Sequence, residues 1–575
     1  MKNKNLDYNY IIGLIIILCI VIFFTFFLDR EFLIEKEQKG ITSLYNDVNL
    51  YEKEKTIYDN KIKNNFILEN KVLKFKISNL GGGIDEVFLK KYKAYNNIDS
   101  LHNKNLFLIK NSSFLYKMIF YKKKNSLKKN EFINTNFLYF YPVFFKKNIL
   151  ILRANNPYGK GYIEYLYSLK ENEYNIRFIV RTIDFYPKNE KVSIFLEQKI
   201  FSLEKDRDWE NSYTQGYVSY KKNIHNIHSK IDYLSEKKNE KKYLSNVNWI
   251  AYKQQFFASI FMMDKSFQDF YIFSENFSSG NFLKKIQSKV NLKIKKNEEL
   301  NIPFQFYFGP LNFNLIKNYN RNLENIIPFG WGFLKWINKY FFLLIFQFLE
   351  KTNLNYGIII ILMTIVVKLI LSPITYKQYK LNAMMKLIRP ELDELNNKLK
   401  NSDPLKKQRE IMKLYKKVGI NPMSGCLSTI FQIPIFYSLF KFFPTLINLR
   451  GKSFLWVDDL TSYDSIYKIP FTIPFYGNHV SLLTLLYSLA LLLYTKINNN
   501  NDKNNDYNKN NMPNMNFLLY LMPIMMLLFI NSYASALSLY YLISNIINIS
   551  LIFIIKKYIL NEKKIFNIIQ KNKKK

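Results

Sequence analysis

Tyr356-Gly357-Ile358-Ile359-Ile360-Ile361-Leu362-Met363-Thr364-Ile365-Val366-Val367-Lys368-Leu369-Ile370-Leu371-Ser372-Pro373-Ile374 carries one charge, a lysine, in an otherwise apolar run. A helix crosses the hydrocarbon core of a bilayer in about 20 mostly apolar residues, and this run has that length. Four more spans are expected after it, at about Cys426–Ile447, Val480–Ile497, Phe517–Asn531 and Ala536–Ile555. Only Ser532-Tyr533-Ala534-Ser535 separates the last two, which requires a tight helical hairpin. Near the other end of the chain, Ile11–Leu28 is also free of charge. A cleaved leader would begin this way too. However, Phe26-Phe27-Leu28-Asp29-Arg30 lacks the small residues of a cleavage site, so residues 1–28 read as an uncleaved anchor. Six spans result.

The 575 residues carry 83 Lys+Arg against 45 Asp+Glu, a net charge of +38. Such an excess calls for an anionic partner, either nucleic acid or a membrane surface. The basic residues cluster beside the apolar runs, which favours the bilayer; no specific nucleic acid is expected. Lys, Asn, Ile, Tyr and Phe are abundant throughout, a pattern that an AT-rich genome would produce. The two cysteines, Cys19 and Cys426, lie in or beside apolar runs and form no disulfide framework. Leu18 is too large to precede a lipidated Cys19. His225 and His228 stand alone in a lysine-rich stretch and read as solvated, so no metal or other cofactor is expected.

Residues 29–325 hold no comparable apolar run. Leu73, Phe75 and Ile77 alternate with Lys74, Lys76 and Ser78, and Gly81-Gly82-Gly83 follow. Tyr174, Ile176 and Phe178 alternate with Asn175 and Arg177 until Ile179 breaks the pattern. Period-two alternation between turn signals marks half-buried strands. The expectation is a large antiparallel all-β sandwich without a catalytic set. From Pro328-Phe329-Gly330-Trp331-Gly332 the texture changes, and residues 329–349 mix aromatics with Lys335 and Lys339. That composition suits a helix lying in the membrane interface.

Short loops set the orientation, since cytoplasmic ones carry the excess of Lys and Arg. Tyr376–Asn421 holds twelve basic and five acidic residues, and the tail 556–575 holds eight basic and one acidic. In contrast, Asn448–His479 is balanced, with Arg450, Lys452 and Lys468 against Asp458, Asp459 and Asp464. Six spans then put both termini in the cytoplasm and residues 29–325 outside it. The Asn-rich tract 498–516 reads as a polar loop.

The basic segment 376–421 is organised. Leu381, Met385, Ile388, Leu392, Leu395 and Leu399 follow a coiled-coil seam. Asn401-Ser402-Asp403-Pro404 makes a turn and a helix start, and Ile411, Leu414, Tyr415 and Val418 supply a second apolar face. A cytoplasmic hairpin of two helices is expected.

Lys368 is the most informative single residue. A charge in the middle of a span costs at least ~2.5–3.5 kcal/mol on insertion scales. It either faces protein and water or snorkels to an interface, and Tyr376 lies about 12 Å away along the helix. Polar residues at helical spacing stand beside it: Thr364 on the same span, Ser428 and Gln432 on the next, and Tyr541, Asn545 and Asn548 on the last, with Tyr540 adjacent. Three polar stripes and a charge together can enclose a hydrated cavity; interhelical hydrogen bonding is the plainer reading of any one stripe. No phosphate-binding glycine loop is evident.

These residues resemble the YidC/Oxa family of membrane protein insertases. The likeness is carried by Tyr356–Ile360, Lys368 with Pro373–Tyr379, Leu414–Cys426, Gln432–Phe436 and Leu539–Asn545. Ile77–Gly82, Lys253-Gln254-Gln255-Phe256-Phe257 and Tyr307-Phe308-Gly309-Pro310 resemble the outer domain of Gram-negative members, and Phe454–Leu460 resembles the Bacteroidota branch. The resemblance implies a bacterial inner-membrane insertase with a five-helix core (326–575) and a periplasmic domain (29–325). It also implies nascent membrane proteins, the ribosome, Sec translocon subunits and the lipid bilayer as partners, and no enzymatic activity. Well-studied members place an arginine in the groove where this chain has Lys368. The charge is kept, but the bidentate fork of arginine is lost.

Overall fold

The computed structural model describes residues 63–95, 105–121, 132–157, 159–185, 191–221, 229–294, 298–399, 403–419, 424–474, 476–499, 515–559 and 562–573. The first expected span, His225, His228 and most of the Asn-rich tract lie outside the described residues.

The β-rich part is built of antiparallel sheets. A nine-stranded sheet runs in the order Lys230–Tyr233, Gln215–Tyr220, Val247–Lys253, Phe257–Phe267, Asn301–Pro310, Asn175–Ile183, Tyr162–Leu169, Ile149–Asn155, Tyr141–Lys146. A six-stranded sheet runs Glu240–Leu244, Asp269–Asn276, Phe282–Lys293, Lys191–Phe201, Phe114–Tyr121, Phe132–Asn134. A third sheet joins Asn65–Glu69, Leu73–Ser78, Ile84–Lys93 and Asn105–Ile109. The alternation at Leu73, Phe75 and Ile77 buries all three side chains completely. Ile179 breaks the pattern because it is locally buried on the strand's other face, as Phe178 and Val180 are on theirs, while Arg177 on the Ile179 face stays exposed.

Aromatic rings weld the sheets. Tyr116 of the six-stranded sheet meets Phe178 of the nine-stranded one edge-on at 5.2 Å. Phe75 of the third sheet meets Phe308 at 5.6 Å. Edge-to-face pairs of this kind are worth about 0.5–1.5 kcal/mol beyond their buried area. Gly82 has to be glycine: its φ is +61°, and a Cβ there would lie 2.7 Å from the Tyr165 ring.

After the last strand the chain forms short helices, Gly332–Ile337 and Leu343–Glu350, joined by a π-helical turn over Asn338–Phe342. Phe342, Leu343, Phe346 and Leu349 face inward, while Phe333, Trp336, Tyr340, Leu344 and Phe348 are exposed. Buried Asn338 ties this unit down by donating to Phe329 O (2.7 Å) and Ser438 O (2.8 Å).

The helical core follows: α1 (Tyr356–Leu387), α2 (Arg389–Lys398), α3 (Pro404–Val418), α4 (Ser424–Phe442), α5 (Leu482–Asn499), α6 (Met515–Ile530), α7 (Ser535–Ile554) and α8 (Glu562–Lys573). Of these, α1 and α7 are long and apolar enough to cross a membrane, and Leu482–Ile497 and Leu521–Ile530 are shorter apolar helices. α1 does not stop at Ile374 but runs unbroken through Pro373 to Leu387. Proline cannot donate to the carbonyl four residues back. The Ser372 hydroxyl takes that place, donating to Leu369 O at 2.8 Å.

The expected seam is therefore divided. Its first half belongs to α1, and the break falls at Ile388, where Pro390 opens α2. The tail also departs from its reading as a simple basic extension. Ile565 and Ile569 of α8 are buried with Met384, Ile388 and Val418, and Asn572 donates to Val418 O at 2.9 Å.

Candidate substrate groove

The core bundle is fastened to the β-rich part through the connection between α4 and α5. Arg450 in that connection donates through Nε to both carboxylate oxygens of Glu204, each at 2.9 Å, and through Nη1 to Lys93 O at 2.8 Å. Its guanidinium lies 5.1 Å from the centroids of the Tyr95 and Phe257 rings. Both charged side chains are almost fully buried (4% and 8% exposed), so their pairing is protected from solvent screening. Burial pushes the Glu204 carboxyl up from its ordinary value, and Arg450 opposes that shift. Burial, and then the Glu204 charge, push the adjacent Glu210 up to about 8.

The Lys253–Phe257 stretch belongs to the same junction. Gln255 donates to Pro444 O at 3.0 Å, Gln254 to Phe201 O at 2.7 Å, and fully buried Lys253 to Tyr213 O at 2.7 Å. Burial lowers Lys253 to about 7. Trp209 of the β-rich part meets Tyr533, which lies between α6 and α7 of the bundle, edge-on at 4.8 Å.

Within the bundle, α1 and α7 lie side by side. Lys368 of α1 is half-buried, and its Nζ donates to Asn548 Oδ1 of α7 at 3.0 Å. It forms no ion pair among the described residues. One turn earlier, Thr364 is fully buried, and its hydroxyl folds back onto Ile360 O at 2.7 Å. Along α7, Tyr540, Tyr541, Ser544, Asn545 and Asn548 are all buried. The Tyr541 ring packs on Phe436 of α4 at 5.1 Å and on Tyr487 of α5 at 5.7 Å. The buried Tyr541 hydroxyl and the Ser488 hydroxyl of α5 have no hydrogen-bond partner among the described residues. On the outer side of α1, Ile365, Leu369 and Ile370 are exposed.

Lys368 and Asn548 are thus brought together, with Thr364, Tyr540, Tyr541 and Asn545 in the buried surfaces of the same two helices. Gln432 is exposed, and no hydrogen bond joins it to this group among the described residues. Ser428 lies in the first half of α4.

Two family models cover the chain and meet within the Leu343–Glu350 helix. The YidC periplasmic domain model matches residues 66–344, and the 60Kd inner membrane protein model matches residues 348–563. The membrane protein insertase YidC of Parabacteroides distasonis is 36% identical over 531 residues, covering 88% of this chain and 80% of that protein. The chain belongs to the YidC family. The YidC insertases of Amoebophilus asiaticus (32% identical, 99% and 96% covered) and Bacteroides fragilis (30%, 96% and 92%) extend the match over nearly the full length. A solved structure of an active YidC insertase aligns over 91% of this chain and 99% of that one at 16% identity, with a TM-score of 0.34. By the two family models, the β-rich part is a YidC-type periplasmic domain and the helical part matches the 60Kd inner membrane protein family.

The sequence pointed to the polar faces of α1 and α7 through their spacing. It counted Arg450 only as one loop charge and did not single out Glu204 at all. They are 246 positions apart, and no local pattern links them.

Proposed function

We propose that this protein inserts and folds integral membrane proteins in a bacterial inner membrane, alone or beside Sec translocon subunits, by lending them a hydrated groove charged by Lys368. The observation that carries the reading is Lys368 itself. It is a cation in an apolar helix, with a neutral amide as its hydrogen-bond partner. A lysine in that setting is incompletely compensated unless water or a visiting anion supplies the rest. The hydroxyls of Tyr541 and Ser488, without a hydrogen-bond partner among the described residues, support a wet interior in the same way.

In this mechanism a client's hydrophilic segment enters the groove without full desolvation, which lowers the barrier to its crossing. Its apolar helix then moves into lipid, and burial of that helix supplies the driving force. Gln432 and Ser428, both on α4, are assigned to the same polar set by their helical spacing. The six-span topology puts both termini, the α2–α3 hairpin and α8 in the cytoplasm, where the hairpin meets the ribosome. Residues 329–349 lie in the outer interface, their exposed aromatic stripe toward lipid.

Two experiments test this reading. Replacing Lys380–Lys417 by a short linker is expected to leave a membrane-integrated protein whose insertion of a reporter client falls to background. An unchanged insertion rate would make the hairpin a passive loop. Protease added outside spheroplasts is expected to cut the periplasmic domain and spare the hairpin; cleavage within 376–421 from that side would overturn the topology.

A further inference from the structure

The connection between α4 and α5 ends in a two-stranded sheet, Tyr467–Ile473 paired with Gly477–Val480. Its sequence alternates Tyr467, Ile469, Phe471 and Ile473 with Lys468, Pro470 and Thr472. Alternation of this kind normally marks a strand with one buried face. Here Tyr467 and Phe471 are each 64% exposed, and the neighbouring Ile466 is exposed as well. Among the described residues the sheet has no third strand.

The hairpin is fastened at both ends. At its base, Val480 lies two residues before Leu482, where α5 begins, and Asp464 accepts the Leu482 and Leu483 N–H groups at 2.9 and 3.1 Å. At its tip, Tyr476 O accepts from Asn531 Nδ2 at 2.9 Å and from the Ser532 hydroxyl at 3.1 Å, just past the end of α6. His479 Nε2 meets Asn531 O at 3.0 Å. The start of α5 and the end of α6 belong to the same end of the bundle. A hairpin pinned to both runs across that end and does not stand away from it. The helices beneath it expose apolar side chains of their own, Phe529 at the end of α6 and Leu485 and Leu489 on α5.

Together these features identify what covers the aromatic face. Exposed aromatics beside a lysine, placed where helices end, are the composition of a membrane interface. A protein partner adding a strand would need a row of N–H donors, and Pro470 and Pro474 remove two. Lipid has no such requirement. We propose that this hairpin lies in the outer interface of the bilayer and anchors the α4–α5 connection there through Tyr467 and Phe471. The inference rests on the reading that α5 and α6 cross the membrane.

The test uses the full-length protein with Cys19→Ser and Cys426→Ser, reconstituted in vesicles of phosphatidylethanolamine and phosphatidylglycerol. An environment-sensitive fluorophore is attached in turn at Phe471→Cys, Tyr467→Cys, Leu489→Cys and Lys238→Cys, the last on an exposed turn of the periplasmic domain. The labels at 471 and 467 are expected to be quenched roughly twofold more by a spin label high on the lipid acyl chain than by one deep on it. They should also be shielded from aqueous iodide, which reaches the label at 238. The label at 489 should respond most to the deep quencher. If the label at 489 behaves so while those at 471 and 467 follow the one at 238, the anchor is wrong and the spans stand. If the label at 489 ignores lipid quenchers altogether, the span reading fails and takes the anchor with it. Labels at 471 and 467 shielded from iodide and from both lipid quenchers would mean that protein covers the face, which overturns the proposal.

Discussion

Arg450→Met is expected to destabilise the junction between the periplasmic domain and the helical core by about 3–5 kcal/mol, the cost of leaving one partner of a buried ion pair uncompensated. The substitution keeps most of the aliphatic volume against Tyr95 and Phe257 while removing the charge. Glu204 would then be a carboxylate with burial against it and no cation beside it. Lys93 O would lose its donor too. The midpoint of thermal unfolding in detergent should drop, and protease should cut earlier at the connection around residues 448–464. Adding Glu204→Gln to Arg450→Met is expected to recover part of the loss, because no buried charge then remains. If the double variant loses the full sum of the two single losses, the two residues act independently and the pair does not hold the junction.

The second large effect belongs to Lys368. Lys368→Glu is expected to abolish insertion of clients whose translocated segment is acidic, since attraction becomes repulsion in a site of low dielectric. Clients with neutral segments should lose less. Lys368→Arg should retain function, because the cation is kept and gains donors. A cysteine at 368 should react with a membrane-impermeant thiol reagent supplied from the cytoplasmic side. A snorkelling lysine predicts a poorly labelled cysteine and harmless neutral replacements. Normal insertion of acidic-segment clients by Lys368→Leu would remove the electrostatic role.

What the sequence made legible follows from the range of the interactions involved. Leu73, Phe75 and Ile77 announced a strand because burial there repeats every second residue along a short stretch. The apolar helices were legible because backbone in lipid must satisfy itself within a helix, which forces long apolar runs. The expected segments Val480–Ile497, Phe517–Asn531 and Ala536–Ile555 lie within two residues of α5, α6 and α7 at every boundary. The seam misled at Ile388, because apolar spacing continues across a break that the backbone of Pro390 imposes. Ile565, Ile568 and Ile569 carried a helical signal within the basic tail, and the surrounding lysines masked it. The candidate site was half legible: the polar residues of α1 and α7 were visible by spacing. Which of them touch, Lys368 with Asn548, depends on how the two helices rotate against each other.

The unbroken course of α1 through Pro373 has a mechanical consequence. From Pro373 to Leu387 is about 21 Å of helix at ~1.5 Å per residue, and from Pro373 back to Lys368 about 8 Å. Prolines are where long helices bend most readily, and here the displaced bond is already replaced by the Ser372 hydroxyl. A tilt of ~10° about that point would carry Leu387, and the helices packed around Ile388, through roughly 4 Å. The upper segment, held by Asn548, would stay in place. A bend at Pro373 would therefore move what is packed at the far end of α1 and leave the contact between Lys368 and Asn548 in place.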